Sequence, residues 1–373
     1  YEIHHEKNFG VRTYAGIKNQ QKADLNWELN AGLEYQQNAS EIANYGNRAG
    51  VRDTLQAADH IRTAQHFYFT QLTLNYKRLI FESAVSLNFY RYAFSKPAIA
   101  EIRNYTPGSV SFDPQLMPRF ALSYKLSDYV ALRSTISRGY SPPATAEVRA
   151  SDNRLNTSLE PEKGWNYEAG VRLYSKRERF TLDASAYYYR LSQAIVRRLN
   201  NNGTEFFVNA GGTRQPGIEL AATGWLIEQK ATGAIRGLQL QHSLNLTRYR
   251  FTNYVTGNTD FSSKQLTGTP AKVFVTGLYV LGPQNLSLFL LHNFTGKIPL
   301  NDANTAYADA YHYVTGKLSY VAHIGKTEGQ IYVGIDNLLD QKFSLGNDLN
   351  AFGNRFYNAA APRNWFAGMK ISL

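Results

Sequence analysis

The stretch from residue 25 to residue 36 alternates between apolar residues and residues that are polar or glycine: Leu25-Asn26-Trp27-Glu28-Leu29-Asn30-Ala31-Gly32-Leu33-Glu34-Tyr35-Gln36. Side chains of a β-strand point alternately to its two faces, so this stretch carries one apolar surface and one polar surface. A helix would scatter the same residues round its axis, because its period is about 3.6 residues. The stretch therefore predicts a strand with one face in an apolar environment and the other in water.

The same alternation recurs along the whole chain, for example over residues 164–173 and 238–247. We expect about fifteen strands, most of them about nine to fifteen residues long. Their predicted starts lie near residues 9, 24, 65, 80, 117, 129, 164, 179, 204, 235, 271, 285, 310, 328 and 363. A strand that crosses hydrocarbon at a tilt needs roughly 9–11 residues, whereas strands of soluble proteins average about 5–6. The predicted strands are therefore long enough to span a membrane.

The connections between the predicted strands alternate in length. Short ones lie at 18–23, 77–79, 126–128, 175–179, 227–235, 282–284 and 323–329, and longer ones at 38–64, 94–116, 140–163, 194–203, 250–270, 296–309 and 337–362. Short turns at one rim and long loops at the other are typical of outer-membrane barrels, whose short turns are periplasmic. We therefore expect an all-β chain that forms a transmembrane, antiparallel, up-and-down β-barrel.

Composition agrees with this interpretation and excludes other classes. The 373 residues include 26 tyrosines and 20 phenylalanines, yet no run approaches the ~18 apolar residues of a transmembrane helix. The net charge of +11 comes from basic residues that are scattered singly along the chain, so we expect no nucleic-acid partner. Anionic lipid or lipopolysaccharide, or an anionic ligand, fits this charge better. The absence of cysteine excludes disulfides and thiolate metal sites.

Six motifs follow one another from residue 137 to the end of the chain. They are Ser137-Arg138-Gly139-Tyr140-Ser141-Pro142-Pro143, Leu159-Glu160-Pro161-Glu162 with Asn166-Tyr167-Glu168-Ala169-Gly170, Asn209-Ala210-Gly211-Gly212 with Gly217-Ile218-Glu219, Leu266-Thr267-Gly268-Thr269-Pro270, Asn337-Leu338-Leu339-Asp340-Gln341-Lys342-Phe343, and Arg363-Asn364-Trp365-Phe366-Ala367-Gly368-Met369. In content and order they resemble the barrel of TonB-dependent outer-membrane receptors. Their residues also have architectural roles, because proline ends strands and glycine permits bends.

The resemblance implies a barrel of about 22 strands whose lumen is closed by a plug. Nothing in this chain resembles the plug. We therefore expect residues 1–373 to be a partial receptor barrel domain, its C-terminal part of about fifteen strands, without a plug. On that basis the strands near 9–17 and 363–372 are expected not to hydrogen-bond to each other.

The resemblance also implies a function in the uptake of a scarce nutrient across the bacterial outer membrane. Such receptors most often import a ferric siderophore or a similar iron chelate, energised by the TonB complex through a segment that this chain lacks. Haem, cobalamin and glycans remain alternative substrates. Two rival classes are a passive porin and a structural or secretion-associated barrel subunit.

No pattern in the sequence predicts an enzyme, a metal centre or a cofactor. The eight histidines form no H-x-x-x-H or H-E-x-x-H spacing, and there is no G-x-S-x-G elbow or phosphate-binding glycine loop. Charged residues on the polar face of the predicted wall are expected to line the lumen, where they tune selectivity or pair with a plug. They are Glu28, Glu34, Glu82, Arg119, Lys125, Arg133, Glu168, Arg172, Asp183 and Glu219.

Ligand recognition is expected at the extracellular mouth, on the long loops and the strand ends next to them. Arginine forks bind carboxylate or phenolate oxygens, and tyrosine adds a flat surface with a hydroxyl. The loops also carry Arg103, Tyr105, Tyr254 and Asn258. The ligand-binding residues that we predict are Arg138, Tyr140, Arg149, Arg154, Arg248, Tyr249 and Arg250.

Overall fold

A computed structural model describes residues 1–19, 24–97, 105–200, 202–256, 258–325 and 327–372. Within these residues the chain forms twenty-five strands and three very short helical turns. The strands are β1 (Glu2–Lys18), β2 (Leu25–Arg48), β3 (Val51–Tyr76), β4 (Leu79–Ser95), β5 (Gly108–Ser111), β6 (Gln115–Lys125), β7 (Val130–Ser141), β8 (Glu162–Tyr174), β9 (Phe180–Ser192), β10 (Ile195–Leu199), β11 (Glu205–Asn209), β12 (Gly212–Ile227), β13 (Gly237–Thr247), β14 (Arg250–Thr252), β15 (Val255–Thr256), β16 (Thr259–Asp260), β17 (Lys272–Leu281), β18 (Leu286–Thr295), β19 (Ile298–Pro299), β20 (Tyr307–Ala308), β21 (Tyr311–Ile324), β22 (Thr327–Asp336), β23 (Ser344–Asn347), β24 (Tyr357–Ala359) and β25 (Asn364–Ser372). The α-helical turn α1 is Thr145–Val148, and 3-10 turns lie at Lys176–Glu178 and Phe352–Asn354.

Seventeen of the described strands belong to one antiparallel, up-and-down sheet. Fifteen of these are long, and the shortest of the fifteen is β25 with 9 residues. The all-β, up-and-down fold class and the number of long strands are therefore confirmed. The remaining strands pair as four small hairpins, β10–β11, β15–β16, β19–β20 and β23–β24.

The chain divides into two compact units. Unit 1 contains residues 1–123, 135–166 and 191–212, and there β1, β2, β3 and β4 pair in succession. Unit 2 contains residues 124–134, 167–190 and 213–373, and there the succession is β12, β13, β17, β18, β21, β22 and β25. Among the described residues, no helix has the length and apolar character required to cross a membrane.

The strand registers place apolar side chains on one face and polar ones on the other. In unit 1, Leu33 is opposite Tyr68, which is opposite Leu87 on the next strand. In unit 2, Met369 is opposite Ile331, and the side chains are 68% and 56% exposed. A polar pair, Lys370 and Gln330, occupies the next position of the same two strands. In each unit the apolar residues at these paired positions are exposed, which the alternation in the sequence predicts.

The segment 38–64, which is predicted to be a long loop, is instead a hairpin. β2 and β3 are 24 and 26 residues long, and they pair up to Arg48 and Val51 around a turn at Ala49 and Gly50. The prediction failed because alternation is required only where one face meets an apolar medium, whereas backbone pairing can continue beyond it. The predicted starts near 9 and 65 accordingly move to Glu2 and Val51.

The start predicted near residue 204 is also wrong. Residues 205–209 form β11, which pairs with β10, and the long strand β12 begins at Gly212. Gly211, with φ of 48°, separates the two strands in a conformation that glycine adopts readily. The short connections fall where the sequence predicts them, for example at 77–78, 126–129 and 282–285.

On the polar face of unit 2, two aromatic rings lie across glycines of the neighbouring strand. The Phe366 ring of β25 covers Gly334 of β22, and the Tyr332 ring of β22 covers Gly368 of β25. The two rings are 6.4 Å apart between centroids. A Cβ atom at Gly368 would overlap the Tyr332 ring, whereas a Cβ atom at Gly329 would meet nothing within 4 Å.

Gly368→Ala should therefore destabilise the barrel by about 1–3 kcal/mol, because the added methyl group must displace a packed ring. Gly329→Ala, on β22, is the matched control and should change stability by less than about 0.5 kcal/mol. The free energy of unfolding in lipid vesicles, from a reversible urea titration, measures both. Equal effects of the two substitutions would contradict the ring contact.

Leu240→Arg tests the apolar face directly. Leu240 lies in the middle of β13 between Gly224 and Leu278, and Gln241 is opposite Thr223 and Gly277. We expect Leu240→Arg to cost roughly 2–4 kcal/mol in lipid, since the charge enters hydrocarbon, and Gln241→Arg to cost little. If the two variants unfold at the same urea concentration, the face assignment is wrong.

Candidate ligand-binding site

In unit 1, Arg138 and Tyr140 lie at the end of β7, and Arg149 and Arg154 lie in the segment after it, which is fixed to the neighbouring strands. Pro142 and Pro143 end the strand, and α1 begins after Ala144, whose N–H donates to Glu147 Oε2 at 2.8 Å. Burial of the carboxyl raises the pKa of Glu147. The Tyr90 hydroxyl donates to the Pro143 carbonyl at 3.2 Å. Val148 packs with Tyr90 and Tyr92, and this small core is surrounded by Phe94, Val110, Phe112 and Leu155.

Arg149 is buried, which differs from the exposed position expected of a ligand-binding residue. Its Nε donates to Asp59 Oδ2 at 2.7 Å, and a terminal guanidinium nitrogen donates to Asn44 Oδ1 at 2.7 Å. The side chains of Arg149 and Asp59 are 1% and 0% exposed. Asn44 and Asp59 lie on β2 and β3, and the Tyr105 hydroxyl donates to the second Asp59 oxygen at 2.9 Å. Arg149 therefore fastens the segment after β7 to the long hairpin and does not face solvent.

The other predicted residues of unit 1 differ in exposure. Arg138 is half-buried and donates to the Leu116 carbonyl and to Gln115 Oε1 at 3.1 and 3.2 Å. The Tyr140 hydroxyl is buried and has no hydrogen-bond partner among the described residues. Arg154 is exposed in a turn whose backbone N–H is held by Asp152 at 3.0 Å. Arg103 lies outside the described residues.

In unit 2, Arg248, Tyr249 and Arg250 follow the end of β13. Arg248 and Arg250 are exposed, and Arg250 donates to the Ser263 carbonyl at 2.5 Å. Tyr249 is half-buried, and its hydroxyl is hydrogen-bonded to that of Tyr187 on β9. Two guanidinium groups thus flank a tyrosine at a strand end, as the sequence predicts.

Asp302 joins the three long loops of unit 2, although no sequence motif marks it. Its carboxylate accepts from the Tyr254 hydroxyl at 2.8 Å and the Thr267 hydroxyl at 2.5 Å. Asn350 donates to the same carboxylate at 3.2 Å and accepts from the Asp302 backbone N–H at 3.0 Å. Because Asp302 is only 3% exposed, these hydrogen bonds hold the loops at 250–270, 296–309 and 337–362 together. Leu300, Ala308 and Phe356 form a small apolar core beside them.

Several of the charged wall residues pair with one another within their own unit. In unit 2, Asp183 accepts from Arg133 at 2.7 Å and from Arg172 at 2.5 Å, and Glu168 is 3.7 Å from Arg133. In unit 1, Arg119 lies 3.1 Å from Glu82. These pairs are partly exposed, so each stabilises the fold by about 1 kcal/mol at most. Within the part of the chain that the structure describes, no group of three or more histidines and acidic side chains could hold a metal.

Comparisons with known proteins identify the family. The model of the family described as "TonB dependent receptor-like, beta-barrel" matches residues 4–338. The chain belongs to this family. Its members are receptors and transporters rather than enzymes. No curated protein sequence matches the chain.

Solved structures show the same fold at low sequence identity. The siderophore receptor PiuA from Acinetobacter baumannii superposes with a TM-score of 0.75 at 12% identity, over 100% of this chain and 56% of that one. The ferric citrate transporter FecA gives 0.79 at 14% identity, over 100% and 55%. The ferric-catecholate import receptor Fiu from K12 E. coli gives 0.70 at 16% identity, over 98% and 54%. The chain thus spans about half the length of these receptors.

The structure also identifies residues that sequence reasoning missed. Asn44 and Asp59 lay within a presumed loop, and Asp302 within another. No periodic pattern or motif links Asp59 to a partner 90 positions away. The burial of an acidic residue would have indicated such a contact, but burial is known only from the folded structure.

Arg149→Ala should destabilise the protein by about 3–5 kcal/mol, because it leaves the Asp59 carboxylate buried without its cation. Arg154→Ala, which removes an exposed arginine of the same segment, is the control and should have little effect on stability. Urea unfolding in vesicles gives the stability of each variant, and limited proteolysis shows whether residues 141–155 have come loose. A stable Arg149→Ala protein with a protected segment would contradict the anchoring role.

Proposed function

We propose that this chain forms the barrel wall of a TonB-dependent receptor in the bacterial outer membrane, and that the receptor imports an anionic ferric chelate. The observation that carries the proposal is the pair of exposed arginines, Arg248 and Arg250, at a strand end beside Tyr249. The loop at 250–270, which begins at Arg250, is held in place by hydrogen bonds from Tyr254 and Thr267 to Asp302. Family membership supports the receptor class.

The exposed apolar face supports a location within lipid. Trp365, Met369 and Ile371 are 70%, 68% and 58% exposed on one face of β25, which a water-soluble protein would have to cover. In a membrane the hydrocarbon covers this face, and the paired backbone of the sheet needs no further hydrogen bonds. Lipid and lipopolysaccharide are accordingly the proposed partners of the apolar face.

The exposed arginines support an anionic ligand. A guanidinium group binds a carboxylate or phenolate through two parallel hydrogen bonds, and each such charge-assisted bond contributes about 1.5–3 kcal/mol. Arg138 and Arg154 in unit 1 and Arg248 and Arg250 in unit 2 are the candidates for direct contact. Tyr140 and Tyr249 provide aromatic surface. Arg149 is not a candidate for direct contact, because its guanidinium is buried and donates to Asp59 and Asn44.

Energy for transport is proposed to come from the TonB complex, as in the family to which the chain belongs. We assign all of residues 1–373 to the barrel wall and propose that the plug and its TonB-contacting segment are separate from it. Movement of the plug would then open a path along the polar face. A passive porin would need no such energy, so only the active receptor should lose uptake when the proton gradient is collapsed.

The test combines binding and uptake in the full-length protein. The variant Arg248→Ala/Arg250→Ala should weaken the binding of an anionic ferric chelate, ferric citrate for example, by about tenfold or more, since two charge-assisted contacts are lost. The affinity is measured from quenching of tryptophan fluorescence in detergent. Lys176→Ala removes one exposed positive charge from a short connection and is the control, which should bind like the parent protein.

Uptake of the labelled chelate by iron-limited cells distinguishes active from passive transport. We expect uptake to stop when a protonophore collapses the proton gradient. Uptake that continues at the same rate would favour the porin. Unchanged affinity of the double variant would reject the proposed binding residues.

A further inference from the structure

A cavity of about 350 Å³ lies in unit 2, between the polar face of the sheet and the loop that follows β22. Four neighbouring strands form its floor. Asn293 of β18 is opposite Tyr313 of β21, and Asp336 of β22 is opposite Asn364 of β25. Asp336 is two positions beyond Gly334, so the period of the strand places both residues on the polar face. The cavity is therefore separate from the exposed arginines that follow β13.

Three aromatic rings line this cavity. The Phe343 ring of the loop stacks on Tyr311 of β21, with the ring centroids 4.3 Å apart and the planes 14° from parallel. Tyr313, two positions further along β21, meets the Phe343 ring edge-on at 5.8 Å. The buried side chain of Asn337 holds the loop in place, since its amide donates to two loop carbonyls at 3.0 and 3.2 Å. The rings are thus fixed in position without a ligand, which reduces the entropy cost of binding one.

Asp336 is the only charged residue among the described residues that line the cavity. Its half-buried carboxylate accepts from the Thr315 hydroxyl at 2.8 Å and from the Tyr313 hydroxyl. Both donors are neutral, and no lysine, arginine or histidine lines the cavity in the part of the chain that the structure describes. A carboxylate that is partly removed from water costs free energy unless a positive charge accompanies it. The cavity therefore has a negative charge and lacks its own counter-charge.

We propose that this cavity binds an organic ammonium ion, with the charged nitrogen beside Asp336 and its alkyl groups against Tyr311, Tyr313 and Phe343. The carboxylate attracts the charge directly, and aromatic rings attract a cation through their quadrupoles, most strongly where water is excluded. The volume is within the range of cavities that hold small molecules. The amide side chains on the cavity floor can bind a hydroxyl or carbonyl group elsewhere on the ligand. The proposal does not depend on a ferric cargo.

The lining disfavours other kinds of ligand. An anionic chelate would bring like charge next to the carboxylate, with no guanidinium or ammonium group in the described lining to offset it. A neutral apolar molecule would fill the cavity but leave the carboxylate partly dehydrated and without a counter-charge. An organic cation suits both features of the cavity, the aromatic surface and the negative charge.

Isothermal titration calorimetry of the full-length protein in a non-ionic detergent tests the proposal, with choline as the probe. Neohexyl alcohol, in which a carbon atom replaces the charged nitrogen of choline, is the neutral ligand of the same shape. We expect choline to bind at least about tenfold more tightly than this alcohol, because only choline supplies the counter-charge. The difference should decrease at high salt, which screens the attraction between the ammonium group and the carboxylate.

Two substitutions separate the contributions of the charge and the rings. Asp336→Asn keeps the shape of the side chain but removes its charge, and it should weaken choline binding by about tenfold or more. Phe343→Leu should weaken it by about two- to fivefold, because one aromatic face is lost. Asp348→Asn and Phe352→Leu are the matched controls, since both residues are exposed on the same loop and neither lines the cavity. Both controls should bind choline like the parent protein.

Three results would overturn the proposal. They are no binding of choline by the parent protein, equal affinities of the parent protein for choline and neohexyl alcohol, and an unchanged affinity for choline in both the Asp336→Asn and the Phe343→Leu variants. Urea unfolding identifies any variant that has lost its fold. The comparison of choline with the alcohol uses the parent protein alone, so it decides the matter even if a variant does not fold.

Discussion

Hydrogen bonds between neighbouring strands satisfy the backbone of this chain, and the rest of its structure depends on them. In hydrocarbon an unpaired N–H or C=O group costs several kcal/mol, so a chain that crosses with strands must pair each strand along its length. Antiparallel pairing of consecutive strands meets this requirement with short connections at one end. Once the ladder is set, alternate side chains face opposite media, which explains both the exposed apolar face and the polar face. The same pairing continues through the long hairpin of β2 and β3 as far as Arg48 and Val51.

Buried polar groups hold the loop segments in one conformation, because little apolar core is available there. Asp59 and Arg149 join the hairpin to the segment after β7 in unit 1, and Asp302 joins three loops in unit 2. A buried ion pair contributes little net stability compared with apolar packing, but it permits few alternative arrangements. Loops fixed in this way lose little further freedom when they bind a ligand, which favours affinity. These buried contacts therefore fix the conformation of the loop segments more than they add to the free energy of unfolding.

The sequence by itself determined the fold class, the number of long strands and the face of each residue within them. Alternation is a local property, because neighbouring side chains such as Leu240 and Gln241 point to opposite faces of a strand independently of distant residues. It also placed Arg248 and Arg250 at an exposed strand end. Only the tertiary structure decided that residues 38–64 are paired, that Arg149 is buried against Asp59, and that Tyr187 meets Tyr249. The last two contacts join residues that are 90 and 62 positions apart in the chain, so no short-range pattern predicts them. The pairing of residues 38–64 depends on backbone hydrogen bonds, which side-chain alternation does not require.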